Sequence, residues 1–409
     1  MGALIHTAII GGGQAGLAMS YHLRQRGIEH IVLERSRVAE SWRSERWDSL
    51  MFQFPNWSIR LPGSVYSSDN PDGFAPKDAI VNFLEGYATA IQAPLRCGEN
   101  VQSLRHDGPA GQFVIETAGD QIKALNVVVA TGSYHKPNLP AFSQSLPKAI
   151  MQLHSRDYRN PGQLPPGNVL IVGSGASGVQ IAEELHQCGK HVYLSVGRHD
   201  FAPRRYRQKD IYWWLDAMGI WRLPIQANPA LRLWRPLYTG VGGGHDINLR
   251  QFAANGMTLL GRLQGATGNK LHFAADLTEN LTKSDAWFAS FKPQIESYVH
   301  EHGLDLKPDE SSGPPQPNSH AEINHISELD LSSSNITSVL WAGGFKYDFS
   351  WIKLPVLDGT GEPEIRRGVS KRPGLYFLGL RRTHTSGSSL LAGVGDDADY
   401  IAQHLAPGR

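Results

Sequence analysis

Two short glycine clusters carry the chemistry most open to reading in this sequence. The first, Gly11-Gly12-Gly13-Gln14-Ala15-Gly16, follows the apolar run Thr7-Ala8-Ile9-Ile10 and precedes a helical stretch from Leu17 to Arg26 that stops at Gly27. Such a strand–turn–helix unit can hold a pyrophosphate. Gly11 permits the tight turn, Gly13 lets the backbone approach the phosphates, and Gly16 lets helix and strand pack closely. The helix start then offers free N–H groups and a positive dipole end to the anion. A second strand, His30 to Leu33, ends in Glu34, 18 residues after Gly16, where a carboxylate can accept hydrogen bonds from a ribose. The glycine spacing alone is weak evidence; with strand, helix and acid in place it reads as a dinucleotide site.

The same unit recurs. Asn168 to Val172 reads as a strand and Gly173-Ser174-Gly175-Ala176-Ser177-Gly178 as its turn. A helix from about Val179 to Cys188 ends at Gly189, and the strand His191 to Leu194 finishes on Ser195 rather than an acid. A carboxylate there would repel a ribose 2′-phosphate, whereas Ser195 with Arg198, Arg204 and Arg205 could hold one. The second site is therefore expected to prefer NADPH to NADH, with Gly173, Ser174, Gly175, Ser177, Gly178, Ser195, Arg198 and Arg204 as its contacts. The plainer reading of Arg204-Arg205-Tyr206-Arg207 is a solvated basic loop.

These units need a scaffold of more than one core, and 409 residues are enough for two or three packed domains. Between the units, Val127-Val128-Val129-Ala130-Thr131-Gly132 reads as a buried strand ending in a tight turn. Prolines from Pro137 to Pro166 then mark a crossing between domains. Residues 200–330 show helical patterns rich in Trp and Leu, broken by a polar loop from Pro308 to Pro317. Gly242-Gly243-Gly244-His245-Asp246 reads as the start of a helix, with Asp246 as its N-cap. Val339 to Gly344 echoes the Ala-Thr-Gly strand and is read as a return to the first domain. A strand Leu375–Gly379 and a helix from Ser389 to Leu405 follow. The expected fold is α/β, with two Rossmann-like dinucleotide-binding domains. The NADPH domain (151–330) is inserted into a split FAD domain (1–150 and 331–409).

Composition narrows the partners. With 39 basic against 38 acidic residues, nucleic acid and anionic membrane are not expected. No apolar run approaches the roughly 18–20 residues of a membrane span. The start of the chain lacks a secretory pattern, and Met1-Gly2 lacks the Ser or Thr that myristoylation wants at position 6. Cys97 and Cys188 form no CxxC, and no HxxxH or HExxH cluster suggests a metal. The expectation is a cytoplasmic enzyme acting on a small molecule, with a homodimer left open.

Both turns, Ser41-Trp42-Arg43, Trp47-Asp48-Ser49-Leu50, Ala130-Thr131-Gly132 and the closing strand and helix together resemble the class B flavin monooxygenases, over nearly the whole chain. The resemblance implies FAD at the first turn, reduced by NADPH at the second. Oxygen would then be captured as a C4a-(hydro)peroxyflavin that oxygenates a small substrate at nitrogen, sulfur or a carbonyl. It implies FAD contacts at Gly11, Gly13, Gln14, Ala15, Gly16, Glu34, Arg35, Ser41, Trp42, Trp47, Val101, Ala130, Thr131, Gly132 and Gly379. It also points to Asn56 as an amide near the oxygen adduct and to His384 as a residue facing the substrate. The family's linker pattern, FxGxxxH and a later aromatic, survives only as His154 and Tyr158, with Lys148 and Ile150 at the Phe and Gly positions. Tyr158, where the Baeyer–Villiger type has Trp followed by Pro or Asp, argues against that type, and the resemblance favours oxygenation at nitrogen or sulfur, with Baeyer–Villiger or carbon hydroxylation as the alternatives. A disulfide reductase would need two nearby thiols. A redox-sensing flavoprotein that turns over no substrate is the non-enzymatic alternative.

Overall fold

The structure is a computed structural model describing residues 4–107, 111–227, 237–308 and 325–406. Two sheets organise it. In the first, β1 (Leu4–Ile10) runs into helix α1 (Gln14–Gln25) and returns as β2 (His30–Glu34), parallel to β1. On its other side β1 pairs in parallel with β3 (Gln121–Val129). The sheet has nine strands, and β3 also pairs with Leu375–Phe377, so both ends of the chain build it. Central strands buried on both faces must be apolar throughout, and Ala8, Ile9, Val127, Val128 and Val129 are fully buried.

The second sheet has five strands, all parallel: Met151–His154, residues 336–341, β4 (Asn168–Val172), β5 (Val192–Ser195) and Thr258–Leu260. Helix α2 (Ala176–Gln187) connects β4 to β5. The closing strand of this sheet, β6 (Ile336–Trp341), lies between Met151–His154 and β4. This corrects one expectation: residues 339–341 do not return to the first sheet, and the crossing comes after Trp341 rather than at 331. The physical reason lies in the repeat itself. Ala342 stands to Gly173 as Ala130 stands to Gly11, so the sequence echo marks the matching position of the second unit.

The chain crosses between the sheets twice, at Lys136–Pro137 and Phe345–Lys346, and these two segments pair with each other antiparallel. His154 fastens the junction. Its Nε2 bonds the Gly344 carbonyl at 3.0 Å, and its Nδ1 accepts the Arg156 N–H at 3.1 Å. Burial lowers its pKa, in keeping with a neutral ring.

Local boundaries also move. Both turn helices begin about three residues earlier than expected, at Gln14 and Ala176, because Gly16 and Gly178 accept the first helical turn. Their ends agree with the reading: Gly27 and Gly189 take φ of +65° and +82°. The last helix, α3 (Val394–Leu405), starts later than Ser389, because the Ser388 hydroxyl accepts the N–H groups of His384 and Thr385 and holds 384–388 as a turn. Asn248, not Asp246, caps the helix Leu249–Ala254. Met1-Gly2 and the polar loop expected over 308–317, past Pro308, lie outside the described residues. Among the described residues no helix is long and apolar enough to cross a membrane.

Candidate dinucleotide sites

The two glycine turns have the same construction. A Cβ on Gly11 would stand 2.4 Å from the Ala130 carbonyl oxygen, and one on Gly173 would stand 2.7 Å from that of Ala342. A Cβ on Gly16 would come within 1.8 Å of the Gly11 oxygen, and one on Gly178 within 1.9 Å of the Gly173 oxygen. These four positions are glycine because backbone already fills the space a side chain would need. The opposite holds at Gly13 and Gly175, the N-caps of α1 and α2, where a Cβ would meet no atom within 4 Å. No side chain caps either helix. Open space above free N–H groups at each helix start fits a pyrophosphate, and the residues present therefore fit two dinucleotides.

At the first site Glu34 is locked in place: its carboxylate accepts the Gly12 N–H at 2.7 Å and the Ser36 N–H at 3.0 Å. Each oxygen keeps a lone pair for a ribose hydroxyl. Gln14 reaches the carbonyl of Ser389 at 2.5 Å, tying the turn to the segment before α3. Gly379, at φ +77°, lies so close to α1 that a Cβ there would stand 2.6 Å from the Cβ of Ala15. Ser133, just past Ala130-Thr131-Gly132, bonds the Gly379 carbonyl at 3.4 Å. The structure thus brings Gly11, Gly13, Gln14, Ala15, Gly16, Glu34, Ala130, Thr131, Gly132 and Gly379 together at one edge of the first sheet. Val101 follows Glu99, whose N–H bonds the Glu34 carbonyl at 2.9 Å. Arg35 turns outward and pairs with Glu45 at 3.1 Å. Ser41 and Trp42 lie on a one-turn helix, Glu40–Ser44, rather than a loop.

Several expectations change with burial. Trp47 is 4% exposed and packs with Leu50, Tyr158 and Val169 in the core of the second sheet, which makes it a packing residue rather than a flavin contact. Ser195 is buried too: its hydroxyl donates to the Gly261 carbonyl and accepts the Leu263 N–H, both at 3.0 Å. It staples backbone and is not free for a phosphate. Arg204 is 1% exposed and ion-pairs with Asp210 at 2.8 Å, against the rings of Phe74, Tyr212 and Tyr238. It serves the core. Arg205 bonds the carbonyls of Gly243 and Gly244, and Arg207 pairs with Glu296 at 2.6 Å, so the basic run is used internally. Arg198 remains as the cation at the second turn. It is exposed, and its neighbour Gly197 donates its N–H to the Ser174 hydroxyl at 3.0 Å.

The two catalytic candidates keep narrower roles. Asn56 is 6% exposed, and its amide NH2 is spent on Ser68 and Asn70. Only its buried Oδ1, which has no partner, remains to interact, so it offers an acceptor and no donor. Among the described residues the His384 ring has no hydrogen-bond partner, and burial together with Arg367 lowers its pKa. Three residues that sequence reading missed, Arg46, Tyr134 and Arg381, meet beside Trp42. The cue was Tyr134, an aromatic two residues past Gly132.

Comparison with known proteins agrees with this geometry. The family model described as pyridine nucleotide-disulphide oxidoreductase matches residues 8–218. An uncharacterized oxidoreductase CzcO-like of Geobacillus kaustophilus is 34% identical over 405 residues, covering 98% of each chain. An indole-3-pyruvate monooxygenase of Oryza sativa subsp. japonica is 32% identical over 185 residues, 45% of each chain. Among solved structures, a flavin-containing monooxygenase from Stenotrophomonas maltophilia has the same fold, with a TM-score of 0.68 at 19% identity over 99% of this chain and 98% of that one. The chain belongs to the pyridine nucleotide-disulphide oxidoreductase family and is similar over its whole length to the CzcO-like oxidoreductases.

Proposed function

We propose that this enzyme is a single-component, NADPH-dependent FAD monooxygenase that oxygenates a small organic substrate at nitrogen or sulfur. The observation that carries the reading is the pair of matching turns, one with a fixed carboxylate at Glu34 and one with the apolar Val196 at the matching position and the exposed cation Arg198 two residues on. The unit built on the second sheet would be the NADPH domain, inserted into a FAD domain split between the two chain ends. FAD, when bound, supplies two-electron exchange with the nicotinamide and with oxygen.

The protein's own part is to bind, orient and exclude water. Free N–H groups at the starts of α1 and α2 would hold the two pyrophosphates. The start of α3 has no side-chain cap, and Asp396 and Asp397 in its first turn offset the positive potential it would otherwise offer a reduced flavin. The Asn56 Oδ1 would accept one hydrogen bond from a bound group, and His384, its pKa held below the ordinary value by burial, would face substrate without adding charge. Cys97, on a strand of the first sheet, and Cys188, at the C-terminal end of α2 in the second unit, are both exposed and unpaired and offer no thiol pair for disulfide exchange; exposed free thiols also suit a reducing cytoplasm.

The test is anaerobic reduction of the purified flavoprotein by NADPH and by NADH, then mixing with labelled oxygen and amine or sulfide substrates. Faster reduction by NADPH and label in an organic product support the reading. Reduction that never depends on nucleotide choice, or release of all the oxygen as peroxide with every substrate, overturns it and favours a redox-sensing role.

A further inference from the structure

Arg46, Tyr134 and Arg381 are far apart in the chain and converge at the seam between the sheets. The Arg46 guanidinium lies 5.0 Å from the Tyr134 ring centre and 5.7 Å from that of Trp42; the Arg381 guanidinium lies 4.8 Å from the same tyrosine. Tyr134 stands two residues beyond Gly132, at the edge of the first site. Its ring also packs edge-on against Phe345 at 4.9 Å, just after Gly343-Gly344 at the edge of the second. Arg381 follows Gly379, which abuts α1. The trio therefore faces the junction of both turns.

Its charge is uncompensated. Most arginines of this nearly neutral chain, such as Arg26, Arg43, Arg250 and Arg367, pair with carboxylates. Among the described residues no carboxylate pairs with Arg46 or Arg381. Among the described residues the Arg46 side chain bonds only the Glu45 carbonyl, and the exposed Arg381 guanidinium lies against the Tyr134 ring. Two guanidiniums brought to one ring repel each other, and an anion between them would remove that repulsion. Burial opposes ionisation of the Tyr134 phenol only in part, since the residue is 42% exposed, and Arg381 and Arg46 hold its pKa below the ordinary value, a sign of local positive potential.

We infer that Arg46, Tyr134 and Arg381 form a receptor for an anionic group, a carboxylate or a phosphate, carried by a ligand that enters at the seam between the two sheets. The planar forks of two arginines suit either oxyanion, and the ring adds a flat apolar surface beside it. The receptor deepens the monooxygenase reading only in the source of the anion: the substrate's carboxylate or a phosphate of NADPH.

The experiment titrates the flavin-loaded protein with benzoate, with benzamide as its neutral match, and with NADP+, by calorimetry. Wild type is compared with Arg46→Gln, Arg381→Gln and the double variant, after flavin content and melting temperature confirm folding. Each single change is expected to weaken the bound anion about 10-fold, with benzamide unaffected. Loss for benzoate alone identifies a substrate subsite, and loss for NADP+ alone a dinucleotide subsite; either supports the receptor. Equal affinities in wild type and double variant, or no anion binding by wild type, overturn it. Purification without flavin would instead count against the proposed function, while the same titration on that protein would still judge the receptor.

Discussion

Substituting Gly175 by alanine separates folding from binding at the second turn. Gly175 has φ −76° and ψ 175°, an extended conformation open to any residue, and a Cβ there meets no protein atom within 4 Å. Alanine is a poorer N-cap than glycine but has less freedom to lose on folding, so the net change in stability should stay within about 1 kcal/mol. A pyrophosphate over the helix start would meet that methyl directly. Displacing it weakens a charged hydrogen bond, at a cost of about 1.5–3 kcal/mol, or roughly 10- to 150-fold in Kd. Calorimetric titration with NADP+ and a thermal melt measure both quantities on one sample, with flavin content as the control. Gly178→Ala supplies the contrast, since its Cβ would sit 1.9 Å from a backbone oxygen and should disrupt the fold itself. An NADP+ affinity for Gly175→Ala equal to that of wild type would refute the placement of the pyrophosphate at this helix.

Other outcomes follow from the same geometry. Arg198→Gln should cut the preference for NADPH over NADH about 10-fold, while Ser195→Ala should leave the preference intact and cost about 1–3 kcal/mol of stability; steady-state reduction assays and denaturant melts read the two. Arg204→Ala should destabilise the protein by about 3–5 kcal/mol, because Asp210 would be left buried without its partner; a normal unfolding midpoint would contradict that. His245 is held above its ordinary pKa chiefly by its hydrogen bond to Glu183 at 2.7 Å, with burial opposing. A raised folded pKa adds stability that is fully present below the unfolded value of about 6.5 and is lost as pH rises through the folded one. Glu183→Gln should therefore destabilise more at pH 5.5 than at pH 8.5 by urea unfolding, and an equal loss at both would contradict the assignment.

The sequence made the two turns readable because glycine is required there for reasons visible in one dimension: a strand, a sharp reversal and a helix in succession. Glu34 was readable by its distance from Gly16. Burial was not readable, and the corrections come from it. Ser195, Trp47 and Arg204 have the residue types of cofactor contacts, but nothing in a local string says that Ser195 faces Gly261 or that Arg204 is enclosed by Phe74, Tyr212 and Tyr238. The echo at Val339–Gly344 was recognised and assigned to the wrong sheet, since its pattern belongs equally to either unit until the pairing of Ile336–Trp341 with Asn168–Val172 is known. Arg46, Tyr134 and Arg381 could not be associated at all without the fold, because their meeting depends on strands from both chain ends.

That shared construction governs how the chain must acquire its structure. Leu375–Phe377 pairs beside Gln121–Val129 in the first sheet, and Ile336–Trp341 fills the middle of the second. Neither sheet can be completed during synthesis until the ribosome has passed residue 336, and the first must wait for the residues after 375. Such distant pairings close large loops before they return any contact energy, which slows folding and leaves apolar strand edges exposed meanwhile. A ribosome-bound chain stopped before residue 336 should therefore be open to proteolysis throughout and dependent on chaperones, and protease resistance should appear only in chains extended past residue 377.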